Sequence, residues 1–344
     1  MFTNKPWILY GATGRTGTLI AQEAVARGHR PVLAGRDPDR LRSLAERLDL
    51  TWVAGPASDM ARLIGDARLV LLAAGPFGST APAVLRASLD AGVHYLDIAN
   101  DIPVATATLA ADDEARRRGI TALPAVGFGT VASDGLARYV ADQVPGAIRL
   151  DLAILLGTDG SSAGAKASTM QALAGGGRIR HGGRLVRRPL GAGARRQDTP
   201  LGQRTLVPVP TGDLVVTGHT TGIPDITVSF PVPMPPVAAT LVMPVLPVVA
   251  WAAGKLPQRA SSSGTATETP ATVSSYLWAQ ATAADGRTAQ AWMRTGEGYA
   301  YTARSAVLAV EATLQSEPLG ATTVARAFGS ELSFAAGGEL LAPA

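Results

Sequence analysis

The chain has 344 residues, 47% of them hydrophobic and 17% charged, with a net charge of +4; this excludes a disordered chain and allows a sizeable core, divided between two domains. It has no cysteine, and its four histidines (His29, His94, His181 and His219) form no HxH or HxxxH pair, so thiolate chemistry is excluded and a metal site is not expected. Three of the 31 basic residues are lysines (Lys5, Lys166, Lys255) and the other 28 are arginines; that skew fits a compositional bias, and with no nucleic-acid-binding motif present no nucleic-acid partner is expected.

The first 125 or so residues alternate short apolar runs with helical stretches. Trp7-Ile8-Leu9-Tyr10 predicts a strand ending at Gly11, and residues 14–28 a helix with Leu19, Ile20, Ala24 and Val25 on one buried face. Pro31–Ala34 reads as the second strand and Asp39–Leu48 as the second helix. The run 69–73 is apolar throughout, as a parallel strand covered on both faces requires. A helix at 79–91 leads to a strand at His94–Ile98, and a helix at 104–118 to a strand at Ile120–Leu123. Such alternation predicts an α/β fold, a Rossmann-type doubly wound parallel sheet.

After Gly129 the rhythm changes. A helix at Ser133–Gln143, a longer strand at Arg149–Leu156 and a helix near 163–174 are followed by hairpin-like segments. These are the basic strands around Gly182-Gly183, Leu214–Thr217, Asp225–Phe230, and the pair Val273–Ala283 and Ala289–Thr295 around Asp285-Gly286. This half reads as an α+β domain with a mostly antiparallel sheet. Tyr301–Leu314 is the final predicted helix, and the Ala/Gly/Pro tail beyond Phe334 reads as loose. The expected organisation is a nucleotide-binding domain at 1–130, a substrate and dimerisation domain at 131–300, and a returning helix and tail at 301–344. The amino-terminal stretch lacks the apolar core of a signal peptide, which reads as a cytoplasmic protein.

Two stretches stand apart. Residues 178–196 carry seven arginines and no acid; this arginine-rich hairpin is a solvated loop or a surface that steers an acidic partner. Residues 231–254 hold no charge, yet Pro231, Pro233, Pro235, Pro236, Pro244 and Pro247 interrupt them, so no transmembrane span is expected.

Gly11-Ala12-Thr13-Gly14-Arg15-Thr16-Gly17 lies between the first strand and the first helix. Gly11 allows a sharp turn, Gly14 lets backbone approach a pyrophosphate, Gly17 lets the helix pack closely, and the first helical N–H groups face the anion. The second strand ends Ala34-Gly35-Arg36 instead of with the carboxylate that would accept ribose hydroxyls. Arg36, with Arg15 and Arg40 as helpers, therefore points to the 2′-phosphate of NADP (NADPH), unless Asp37 turns inward. Ala74, Gly75, Pro76 and Phe77 follow the strand at 69–73 and are expected to flank the nicotinamide. None of Tyr10, Tyr95, Tyr139, Tyr276, Tyr299 and Tyr301 has a lysine four residues on, so the Tyr-x-x-x-Lys proton relay of short-chain dehydrogenases is absent.

On these residues the chain resembles the saccharopine dehydrogenase-like oxidoreductases, including their trans-acting enoyl reductase branch. The resemblance rests on GATGRTG (11–17), LAGR (33–36), AAGPF (73–77), HYLDIAND (94–101), VGFGTVASD (126–134), TGIPDI (221–226) and GYAYTARSA (298–306). Gly129 and Ala132 stand where the family turn carries Asp and Pro, and the acidic end of the 94–101 segment is Asp101. The resemblance implies a second domain that holds substrate and a homodimer contact, and a last helix that returns to the nucleotide domain. It implies reduction of a C=N or activated C=C bond in a small-molecule or carrier-protein-bound substrate. Tyr95, oriented by Asp97, is a candidate proton donor, and Lys166 is a second one. The competing expectation is an NADP-binding regulatory or scaffold protein without turnover.

Overall fold

The computed structural model describes residues 6–157, 176–245 and 274–342. The expected helix at 163–174, Lys166 and the part of the apolar stretch beyond 245 lie outside them.

The first domain runs β1 (Trp7–Tyr10), α1 (Arg15–Ala26), β2 (Val32–Gly35), α2 (Pro38–Leu48), β3 (Trp52–Ala54), α3 (Met60–Leu63), β4 (Leu69–Leu72), α4 (Phe77–Ala91), β5 (His94–Asp97), α5 (Ile102–Ala110), α6 (Asp112–Arg118) and β6 (Thr121–Leu123). The six strands are all parallel, in the order β3-β2-β1-β4-β5-β6. Alternate residues feed two cores, as strands covered on both faces must. Leu9, Leu33, Leu71 and Leu96 pack beneath α1 and α2, whereas Ile8, Val70, Leu72 and Tyr95 pack beneath α4. The strand order reverses between β1 and β4, which places the crevice of a doubly wound sheet at the loops that follow these two strands.

The single helix expected at 104–118 is two helices. The break at Ala111 lets Asp112 start α6 and accept from the backbone N–H of Ala321 at 2.8 Å. That contact ties α6 to a strand from the far end of the chain.

Helix α7 (Thr130–Asp142) leads out of β6 and is buried along most of its length. The second domain continues with β7 (Ala147–Leu155), β8 (Gly177–His181), β9 (Arg184–Arg188), β10 (Arg195–Gln197), β11 (Arg204–Pro208), α8 (Asp213–Thr221), β12 (Asp225–Val232), α9 (Pro236–Val242), β13 (Ser275–Ala283) and β14 (Thr288–Thr295). Then follow α10 (Gly298–Ser316), β15 (Gly320–Ala321), α11 (Val324–Phe328), α12 (Glu331–Ala335) and β16 (Glu339–Leu340). Its sheet runs β10-β11-β12-β7-β13-β14-β16, with the β8–β9 hairpin attached to β12. Among the described residues every pairing of this sheet is antiparallel except β7–β12.

Leu214–Thr217, expected as a strand, lies in the first half of α8. Its valines and threonines favour a strand by propensity, but packing against α7 and a left-handed Gly222 C-cap decide for a helix. His219 sits on this helix. The tail read as loose beyond Phe334 instead adds β16 to the edge of β14, pairing Met293 with Leu340 and Arg294 with Glu339. Tyr301–Leu314 lies inside α10, and two short helices follow it. Helix α10 lies against α1, where Glu311 accepts from Arg27 Nε and Nη2 at 2.9 and 2.7 Å and pairs with His29 at 2.8 Å. β15 then joins the first sheet beside β6.

Candidate dinucleotide and substrate site

The loop after β1 is built around two glycines. Gly11 adopts φ +95°, and a Cβ there would lie 2.7 Å from the carbonyl carbon of Ala73 and the nitrogen of Ala74. A Cβ on Gly17 would lie 2.1 Å from the Gly11 oxygen and 2.9 Å from Ala12 Cα. The loop thus touches the β4 exit on one side and the first turn of α1 on the other, with room for hydrogen only. Gly14 is the N-cap of α1 in extended backbone and supplies no side-chain cap. The opening amides of α1, which have no partner within the helix, are left for an anion.

The loop is braced from outside. Arg40 donates to the Thr13 carbonyl at 2.8 Å, and Thr18 Oγ1 donates to the Ala12 carbonyl at 3.1 Å. Arg40 therefore holds the loop, and Arg15 lies with its guanidinium 4.0 Å from the centre of the Tyr299 ring in the first turn of α10. Neither helper is in the free state expected of a phosphate ligand. Asp37 does not turn inward; it is the N-cap of α2, its Oδ1 accepting from the Arg40 backbone N–H at 3.1 Å. Arg36 alone is exposed at the end of β2 with no hydrogen-bond or ion-pair partner among the described residues. It is close enough to favour the ionised form of Tyr10, although burial raises that phenol on balance.

After β4, Ala74 and Phe77 are half-buried while Gly75 and Pro76 are exposed. Thr80 Oγ1 donates to the Ala74 carbonyl at 2.6 Å, which pins this loop to the start of α4. These residues stand directly beside Gly11 through the Ala73–Ala74 contact.

Tyr95 and Asp97 are brought together, but not at the crevice surface. Both are fully buried: the Tyr95 hydroxyl donates to Asp97 Oδ2 at 2.8 Å, and Asp97 Oδ1 accepts from the backbone of Ala99 at 2.9 Å and of Ala125 at 3.0 Å. The pair clamps the exits of β5 and β6 to each other, and burial pushes the Tyr95 phenol well above its usual range. Burial also raises the Asp97 carboxyl to about 6, against three hydrogen bonds that pull it down. Asp101, half-buried at the start of α5, makes no side-chain cap, and burial raises its carboxyl too. It is the acid of this segment that reaches solvent.

The raised Asp97 carboxyl carries a stability consequence. The folded protein holds this proton to higher pH than the unfolded chain, so the contribution is complete below the unfolded value of 3.8 and is lost as pH rises through about 6. Between pH 4 and pH 7.5 this is worth about 2 kcal/mol. Asp97→Asn keeps an oxygen for the two backbone donors and is expected to remove that share of the slope. Urea unfolding at a series of pH values measures it, and an unchanged slope in the variant would refute the assignment.

A contact that sequence reasoning missed joins the domains at the same end of β5. Asp213, fully buried at the start of α8, accepts from Asn100 Nδ2 at 3.0 Å and from Ser133 Oγ of α7, while the Gly212 backbone N–H donates to the Asn100 carbonyl at 3.0 Å. A Cβ at Gly212 would lie 2.7 Å from Asn100 Oδ1. The partners are 80 and 113 residues from Asp213 in the chain, and Thr211-Gly212-Asp213 reads locally as an ordinary turn. Phe128 is held likewise, donating its backbone N–H to Thr302 Oγ1 of α10 at 3.0 Å.

Residues 11–135 match the NAD(P)H-binding family model. The chain is 30% identical over 138 residues to a trans-acting enoyl reductase of Mycobacterium ulcerans, covering 37% of this chain and 33% of that protein. It is 29% identical over 178 residues to a probable mitochondrial saccharopine dehydrogenase-like oxidoreductase of Arabidopsis thaliana, covering 43% and 38%. The matched regions thus span little more than a third of those relatives. The fold is similar to that of the apo saccharopine dehydrogenase (L-Glu forming) of Saccharomyces cerevisiae, with a TM-score of 0.61 at 12% identity over 98% of this chain and 100% of that one. The chain is thus similar to saccharopine dehydrogenase-like oxidoreductases over part of its length, and it shares the fold of a saccharopine dehydrogenase.

The amino-terminal domain matches an NAD(P)H-binding domain over residues 11–135, and its residues fit a nicotinamide dinucleotide. The backbone cradle excludes side chains at Gly11 and Gly17, and the N-terminus of α1 faces it. Among the described residues, no helix is long and apolar enough to cross a membrane, and no cluster of His, Asp and Glu could hold a metal.

Proposed function

We propose that the protein is an NADPH-dependent reductase that delivers hydride to a C=N or activated C=C bond of a small or carrier-bound metabolite, acting as a cytoplasmic homodimer. The observation that carries the cofactor reading is the division of labour at the end of β2. Asp37 is spent on capping α2, so no carboxylate opposes a 2′-phosphate, and Arg36 stays unpaired to receive it. Bound NADPH would supply the hydride. Ala12, Thr13 and Gly14 present backbone to the pyrophosphate, Thr16 and Gly17 add the first-turn amides, and Ala74 to Phe77 orient the nicotinamide.

The proton role falls to Asp101 in preference to Tyr95 or Asp97, since a proton leaving the Tyr95 hydroxyl has only the sealed Asp97 to go to. A carboxyl raised by its surroundings holds its proton closer to neutral pH, which suits a general acid. The similarity to a protein named trans-acting enoyl reductase supports a C=C acceptor and a carrier-bound substrate.

A fluorescence titration with NADPH and NADH, followed by a panel of cyclic imines and enones under excess NADPH, tests this reading. NADPH-selective binding and oxidation by one substrate class are expected, with Asp101→Asn lowering turnover and shifting the pH profile while Asp97→Asn does not. Equal affinity for the two cofactors would defeat the NADP assignment. Selective binding without oxidation by any acceptor, carrier-bound ones included, would favour a regulatory protein, a reading that the burial of Tyr95 and Asp97 also permits.

A further inference from the structure

The β10-β11-β12 edge of the second sheet carries features that a reductase of small molecules does not use. Helix α9 packs its inner side, Ala239 and Met243, onto Leu190 and Val207, and Thr240 Oγ1 donates to the Gly191 carbonyl at 3.2 Å. Its outer side is an aliphatic stripe. Val237, Leu241 and Val245, four residues apart along α9 and the 3₁₀ turn that follows it, are 72%, 73% and 54% exposed, and Val242 beside them is 50% exposed. Large aliphatic side chains at that exposure on one stripe mark an interaction surface.

The rim of this stripe is basic. From residue 176 to residue 212 the chain carries eight arginines and one acid, Asp198, and residues 231–245 carry no charge. Arg184, Arg187, Arg188, Arg196 and Arg204 are exposed. The 189–194 turn between β9 and β10 is the seat of α9, so Arg188 at the end of β9 and Arg195 at the start of β10 bracket that seat in the chain. At the foot of α9, Arg196, Gln203, Arg204 and Thr205 face Pro231–Pro235 across a cavity of about 610 Å³. Among the described residues Arg196 and Arg204 reach only neutral partners, the Gln203 side chain at 3.3 Å and the Gln203 carbonyl at 3.1 Å.

We propose that this face docks on an anionic phospholipid surface. The stripe of α9 enters the boundary between headgroups and acyl chains, lying parallel to it, and the arginine pair in the cavity takes a lipid phosphate. A short helix with an aliphatic outer side and arginines flanking it suits that interface, and the prolines at 231, 233, 235 and 236 keep the segment from extending into a span. The favoured occupant is a lipid surface over an acidic protein. A convex row of exposed aliphatic side chains beside arginines not paired with an acid offers a headgroup–acyl boundary its apolar contact and its phosphate partners, with no shaped pocket for a protein side chain along the stripe among the described residues.

The test uses the purified full chain and sedimentation with vesicles of phosphatidylcholine alone or with a third phosphatidylserine. The parent is expected to sediment with the anionic vesicles and to be released as salt is raised and the arginines are screened. Val237→Asp/Leu241→Asp should weaken binding at least tenfold. Arg196→Gln/Arg204→Gln should clearly weaken the preference for the anionic vesicles, and an unchanged preference would overturn the phosphate role of this pair. Both variants should keep the parent melting temperature and NADPH affinity, which separates this face from the dinucleotide site. Absence of binding to either vesicle, or binding untouched by the α9 substitutions, would overturn the proposal. A parent dimer that becomes monomeric in Val237→Asp/Leu241→Asp would overturn it in favour of a self-contact. Binding to an acidic carrier protein with no binding to vesicles would overturn it in favour of a protein partner.

Discussion

Gly17→Ala is expected to weaken NADPH binding at least a hundredfold and to lower the melting temperature. The added Cβ would stand 2.1 Å from the Gly11 oxygen and 2.9 Å from Ala12 Cα, both backbone atoms with no rotamer to give. Overpacking of this kind costs about 1–3 kcal/mol and sometimes more, and relief requires moving the loop whose amides would hold the pyrophosphate. Gly14→Ala is the informative control. Its Cβ would meet only the Gly11 oxygen at 3.4 Å, and Gly14 already has extended backbone. It should melt like the parent and still bind less well, because the new methyl stands where backbone would approach the phosphates. Fluorescence titration beside thermal melting separates the two effects. Parent-like NADPH affinity in Gly17→Ala would mean that the dinucleotide does not rest on this loop.

Arg36→Ala should convert the cofactor preference. The guanidinium is exposed and without a protein partner, so removing it breaks no contact of the fold, and the melting temperature should stay within experimental error. Loss of one charge-assisted hydrogen bond to a 2′-phosphate costs about 1.5–3 kcal/mol, which is roughly tenfold to 150-fold in Kd. NADH affinity should change by less than about threefold, since NADH presents no phosphate there. Arg40→Ala is the contrasting variant: Arg40 ties α2 to the Thr13 carbonyl, so its loss should weaken NADPH and NADH together. An equal loss for both cofactors in Arg36→Ala would show that this residue, too, acts only on the loop.

The nucleotide domain was legible in the sequence because its signals are local. Each strand is a short apolar run, each helix has a buried stripe, and the glycines stand at the turn where backbone must meet backbone. The exposed place of Arg36 was legible for the same reason, being one position at the end of one strand. The competing role of Asp37 was not, because a cap and a ribose contact look alike until the α2 amides are in place. Leu214–Thr217 was misread for want of its neighbours: threonine and valine prefer strands when isolated, and only the packing of α8 on α7 outweighs that preference.

By itself the sequence determined the doubly wound first domain, the glycine loop after its first strand and the lack of thiolate chemistry. All of these follow from periodicity, spacing or residue type within some thirty residues. The tertiary structure alone decided that Tyr95 and Asp97 are sealed as a brace, that Arg15 and Arg40 are already engaged, and that Asp213 joins Asn100 to Ser133 across the domains. It also decided that α9 turns its valines and leucine outward. Burial and hydrogen-bond satisfaction are properties of a residue's surroundings, and those surroundings come from segments as far away in the chain as Tyr299 is from Arg15.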